Sequence, residues 1–191
     1  MILAWRGVDP DRLETAWVRL GERRLRAHGS STTADYVLTW RLEAEEGWIT
    51  RDLWVRVDGA RELHLRRAAE GQWWVGGPDG SPDRTLESSL DGALDCDLGL
   101  CPFTNTMPIL RHGLEKARPP AEVDVELVMA WVSVPDLTVS ASPQRYRSDG
   151  AGAGGRARVR FDSEGFSAPV EVDAHGVVVD YPGIAHRLEL S

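Results

Sequence analysis

The histidines of this 191-residue sequence, His28, His64, His112, His175 and His186, show no HxH or HExxH spacing, the patterns that bring two imidazoles onto one metal ion. Cys96 and Cys101 stand five apart with no second pair. They do not form a zinc ribbon, and in a reducing compartment both are free thiols of the kind that proteins bury. There is no GxSxG elbow and no phosphate loop, although a triad assembled across the fold from distant residues stays open. Asp95 and Asp97 share one strand face, either as a carboxylate pair or, more simply, as a solvated edge that discourages edge pairing. Neither a metal nor a cofactor is expected.

Tryptophan is the other chemically expressive residue, at positions 5, 17, 40, 48, 54, 73, 74 and 131. An indole offers a broad apolar face and one N–H donor, which suits carbohydrate and lipid sites as well as cores. Trp40 and Trp131 are in phase with the apolar residues of their strands and read as core. Trp54 is in phase with Arg56 and Asp58 instead, and is the better candidate for a ligand or an interface. Trp73 and Trp74 must face oppositely in an extended chain, so one of them, here Trp74, is exposed or at a cavity mouth.

The elements that must position these groups are mostly strands. In "DYVLTWRLEAEE", Tyr36, Leu38, Trp40 and Leu42 share one face, and Thr39, Arg41 and Glu43 the other. "RDLWVRVDGARELHLRRA" reads as a hairpin turning at Asp58–Gly59. "EVDVELVMAWVSV" is a strand covered on both faces from Val128 onward, and "LTVSASPQRY", "RARVRFDS", "APVEVDAHGVVVDYPG" and "HRLEL" follow as short strands. "GGPDGSPD", 76–83, is a turn-rich connector. The whole reads as an antiparallel meander in one domain, 1–191. "DPDRLETAWVRLGERR" also carries helical spacing at Leu13, Trp17 and Leu20, but its extended continuation favours a strand.

"TNTMPILRHG", 104–113, breaks the alternation and is the clearest helix signal after the first quarter of the chain. Asn105 or Thr106 is positioned to cap, Pro108 falls in the first turn, and Gly113 can end the helix in the left-handed conformation. His112 closes it, where a partial positive charge is favoured. Met107, Leu110 and Leu114 form an apolar face that Ile109 widens. So short a helix is unstable alone, so strands must surround or cover it. Asn105 and Thr106 would then satisfy backbone amides or line the inner end of a pocket.

The balance of 30 acidic against 22 basic residues gives a net charge of −8. The basic residues form no run or stripe, so nucleic acid and anionic membranes are poor partners. No apolar run approaches a membrane span, and "MILAWRGVDPDRLE" lacks the layout of a secretory signal, so a cytoplasmic address is expected.

At "TNTMPILR", "AWVSVPDLTVSASPQRY" and "VDAHGVVVDYPGIAHRLEL" the sequence resembles the "Putative glycolipid-binding" family of bacterial proteins. The resemblance covers most of the chain and rests on Thr104, Asn105, Thr106, Pro108 and Ile109, and on Asp173, Gly176, Asp180, Tyr181, Pro182 and Gly183. Met107 stands where the family usually has Leu, and Leu110 where a second arginine beside Arg111 is expected. The resemblance implies a spiral β-roll, a many-stranded antiparallel sheet wrapped around a single short central helix, and a homodimer. By fold analogy it also implies a non-enzymatic protein that holds an amphiphile, such as a glycolipid, between the concave sheet and the helix. Trp54, Trp74, Asn105, Thr106, Arg111 and Tyr181 are the candidate contacts. Two alternatives stand beside it: a cofactor-free enzyme using the same kind of cavity with Arg111, His112 or Tyr181 as polar participants, and a homodimeric interaction protein with a packed interior and no ligand.

Overall fold

A computed structural model describes residues 1–59, 61–76 and 85–190. Apart from Gly76, the connector at 76–83 lies outside the described residues. The first half of the chain forms β1 (Ile2–Gly7), β2 (Arg12–Gly21), β3 (Arg24–Thr32), β4 (Val37–Glu45), β5 (Ile49–Val57), β6 (Arg61–Arg67), β7 (Trp73–Gly76), β8 (Thr85–Leu86) and β9 (Asp95–Leu98). After the helix α1 (Thr106–Arg111) come β10 (Asp124–Val132), β11 (Val139–Ala151), β12 (Ala157–Ser163), β13 (Phe166–Val172), β14 (Val178–Tyr181) and β15 (Ala185–Arg187).

All fifteen strands belong to one open sheet, ordered β8-β7-β6-β5-β4-β3-β2-β1-β15-β14-β13-β12-β11-β10-β9. Within β1 to β8 and within β10 to β15 each strand pairs with the next in antiparallel fashion, and β1 pairs with β15 to join the two runs. Asp58 and Gly59 turn between β5 and β6 with φ of 42° and 72°, both positive as a tight hairpin requires. The segment 12–21 is a strand, paired from Leu13 opposite Thr32 to Gly21 opposite Arg24.

The meander is not antiparallel throughout. β9 pairs parallel to β10, Asp95 opposite Met129 and Leu98 opposite Val132, because the chain runs through α1 and returns before β10 begins. Val128 is also not covered on both sides: it is exposed, whereas Met129, Ala130 and Val132 are buried.

The sheet curls around the central segment. Trp40 of β4 stacks on Phe103 at 5.8 Å, and Thr50 of β5 donates to the Met107 sulfur at 3.3 Å. From the other half of the sheet, Tyr146 of β11 donates to Asn105 at 3.0 Å. Met107 belongs to a core with Trp5, Trp40, Leu53, Leu65 and Trp73, and Ile109 to a second with Tyr146, Val159, Phe161, Val170 and Tyr181. The helix therefore joins two apolar clusters, a role it shares with Ile184, which packs against both. Gly176, in the β13–β14 turn, presses on it. At φ +70° it sits so close that a Cβ would lie 2.8 Å from two Leu110 atoms.

Candidate functional site

Pro102 opens a 3-10 turn over Pro102–Asn105 that runs directly into α1. The carbonyls of this turn serve the first helical amides, the Thr106 N–H bonding to the Phe103 carbonyl. The expected side-chain cap is consequently absent: Asn105 is itself right-handed helical, with φ −66° and ψ −18°, and neither it nor Thr106 caps. Asn105 instead turns its amide sideways, accepting from the Tyr146 hydroxyl at Oδ1. Thr106 Oγ1 is buried without a partner.

The helix ends as its sequence requires. Gly113 has φ +64°, Leu114 N–H bonds to the Ile109 carbonyl at 2.9 Å and Gly113 N–H to that of Leu110 at 3.3 Å, a Schellman closure. His112 does not carry the expected positive charge with ease. Burial, and then the adjacent Arg111 charge, lower its pKa.

Asp95 and Asp97 do not form a solvated edge, because β9 is covered by the helix lead-in. Asp95 is buried and takes a bidentate contact from Arg111, whose guanidinium also donates to the Gly47 carbonyl at 2.9 Å and the Trp48 carbonyl at 2.8 Å. Arg111 thereby clamps the helix end to β9 and the β4–β5 turn. Asp97 has no such cation. Thr104 Oγ1 donates to one of its oxygens at 2.8 Å and Gln144 Nε2 to the other at 2.7 Å. Burial raises its pKa, opposed by those two hydrogen bonds and assisted by the Asp95 charge.

Asp97 lies in the wall of a cleft of about 580 Å³ between the helix lead-in and β10 to β14. Asn105 and Gln144 contribute the polar floor, tied together through the Tyr146 hydroxyl, which lies 3.0 Å from both side-chain oxygens. Phe161, Phe166 and Tyr181 form an aromatic wall, with ring centroids 5.9 to 6.1 Å apart. Trp131 completes the lining. It is half-buried rather than core, because the concave face is left open at this end of β10. The Tyr181 hydroxyl makes no hydrogen bond among the described residues. Burial and the neighbouring Asp97 charge push its pKa up.

Behind this wall β2 reverses the usual pattern, turning Arg12 and Glu14 inward and leaving Leu13 and Trp17 exposed. Arg12 donates to the carbonyls of Leu100 at 2.6 Å and Ile184 at 3.1 Å, both cleft residues, and Nε donates to Glu14 at 3.1 Å. With the guanidinium so divided, burial wins over the Arg12 charge and raises the Glu14 carboxyl from 4.5 to about 7. The two thiols are buried and held protonated, chiefly by burial.

Of the residues singled out from sequence, Asn105 and Tyr181 meet in the cleft. Thr106 and Arg111 do not line it. Trp54 lies on the outer face, where register places Ile2, Trp17, His28, Arg41, Trp54 and His64 in one cross-strand row. There Trp17 stacks on His28 at 5.5 Å and Arg41 covers the Trp54 ring at 5.0 Å. Trp73 is buried and Trp74 half-buried, as opposite faces require, and Trp74 pairs with Arg66 in register away from the cleft. Sequence reasoning missed Asp97 as a wall residue, and with it Gln144, Phe161 and Phe166. Gln144 and Tyr146, two apart in "SPQRY", were the available signal.

The fold and cleft define a mainly β protein whose single sheet encloses a short helix and leaves an aromatic-walled recess beside it. The chain belongs to the family described as "Putative glycolipid-binding", which matches residues 2–187. It is similar to the crystal structure of a DUF1089 family protein from Pseudomonas aeruginosa, with a TM-score of 0.67 and 27% identity over 92% of each chain. No curated protein matches it. Among the described residues no helix is long and apolar enough to cross a membrane.

Proposed function

We propose that this chain is a non-enzymatic binding protein for an amphiphile, with residues 1–191 acting as one domain of the spiral β-roll kind in the cytoplasm. One observation carries the reading: the cleft joins an aromatic wall of Phe161, Phe166 and Tyr181, with Trp131 also in the lining, to a polar floor of Asp97, Asn105 and Gln144. The wall suits an acyl chain or the apolar face of a sugar, at about 0.8 kcal/mol per methylene removed from water. The floor suits hydroxyl or amide groups, since each Asp97 oxygen keeps acceptor capacity beyond its one protein donor. The description of the family, glycolipid binding, supports the same combination of chain and polar head. Native mass spectrometry of the purified protein tests it. A stoichiometric amphiphile is expected on the wild type and is expected to be lost from Phe166→Ala; repeated absence from the wild type and failure to take up added alkyl glucosides refute the reading.

Self-association is a second reading, supported by the outer face of the first strands, where Ile2, Leu13, Trp17 and Val37 are exposed together. Sedimentation is expected to show a dimer that Trp17→Arg dissociates; a monomeric wild type at high concentration refutes it.

A further inference from the structure

Two carboxylates on one short strand, Asp95 buried and Asp97 half-buried at the cleft, are treated differently by this fold. Asp95 receives a guanidinium, and Asp97 receives only a hydroxyl and an amide. Holding a carboxylate partly out of water without a counterion is costly, and an opposite charge arriving beside it lowers that cost. Among the described residues that line the cleft there is no arginine, lysine or histidine, while Glu164 adds a second carboxylate at its rim. No described residue of the lining therefore supplies the missing charge.

Resting on the amphiphile reading above, we propose that the ligand supplies that charge: the cleft takes an amphiphile whose head bears an ammonium group, such as an amino sugar or an alkylamine, and discriminates against phosphate heads. The ammonium sits against Asp97 with the aromatic faces of Phe161, Phe166 and Tyr181 around it, an arrangement that attracts cations electrostatically as well as by apolar contact. Tyr181 gives a second, independent sign of a ligand. The residue is only 6% exposed and lines the cleft, and its hydroxyl, which makes no hydrogen bond among the described residues, is placed to bond a neighbouring group on the same head. A phosphate head would instead meet Asp97 and Glu164 as like charges in a partly dry site, where repulsion is weakly screened.

The experiment is a binding series on the wild-type protein with octylamine, octyl glucoside and octyl phosphate, each below its micelle concentration, near neutral pH and followed by calorimetry. Octylamine is expected to bind at least about tenfold more tightly than octyl glucoside, the scale of one charge-assisted bond with a cation–π contact, with octyl phosphate weakest. Asp97→Asn is expected to erase the preference for the amine, read as the ratio of the amine and glucoside affinities in the same variant. Equal or tighter binding of the glucoside or phosphate overturns the proposal and leaves the amphiphile reading standing. No binding of any of the three overturns both. The wild-type ranking decides the matter even where Asp97→Asn does not fold.

Discussion

Glu14 ties protein stability to pH in a way that can be worked out from its surroundings. Its carboxyl is buried among Arg12, Ser31, Tyr36 and Cys101 and is raised from 4.5 to about 7. Between those values the folded protein holds a proton that the unfolded chain releases. The group therefore contributes stability that is fully present below about pH 4.5 and is lost as pH rises through about 7. A separation of that size corresponds to roughly 3 kcal/mol at about 1.4 kcal/mol per pH unit, of which about 2–3 kcal/mol falls between pH 5 and pH 8. Glu14→Gln removes the titration but keeps the shape. Urea unfolding of both proteins, followed by tryptophan fluorescence across that range, should show the wild type losing about 2–3 kcal/mol relative to the variant as pH rises, with unchanged denaturant slopes. A difference that stays flat over the range would mean that Arg12 holds Glu14 ionised throughout, and the balance drawn here between burial and pairing would be wrong.

Gly176→Ala should cost about 2–4 kcal/mol, because the new methyl strikes Leu110 and the backbone is left-handed there; a loss under about 0.5 kcal/mol in thermal unfolding would detach that turn from the helix. Arg111→Met should destabilise by about 3–5 kcal/mol by leaving Asp95 buried and unpaired, and Asp95→Asn in the same protein should recover part of the loss, as read by urea midpoints. Asn105→Ala should cost only about 1–2 kcal/mol, since helix amides do not depend on it, yet should weaken amphiphile retention in native mass spectra. Unfolding of that variant would instead make Asn105 structural.

Period-two alternation carried most of the strand assignment, since burying one face of a sheet leaves its trace at every second position. The helix in "TNTMPILRHG" was legible for a local reason as well: Pro108 and Gly113 act on their own backbones, wherever the rest of the chain lies. The cleft was not, because its parts are joined by distance. Nothing near Asp95 or Asp97 in sequence says that Arg111 will reach back to the first and pass over the second. Trp131 has the phase of a core residue, and only the opening of the concave face at the end of β10 leaves it half-buried. Arg12 and Glu14 break the pattern of β2 outright, and their inward placement makes sense only once Leu100 and Ile184 are seen to need donors.

The pairing of β1 with β15, Trp5 opposite Arg187, has a consequence for biosynthesis. While the ribosome is still making the second half of the protein, β1 stands as an unzipped margin, its amides and carbonyls open to any extended neighbour. Closure is a late event between distant segments, and loop entropy makes such events slow. A nascent or truncated chain lacking β15 should therefore be prone to stick to its own kind, and a chaperone that shields strand margins would protect this protein during synthesis more than after it.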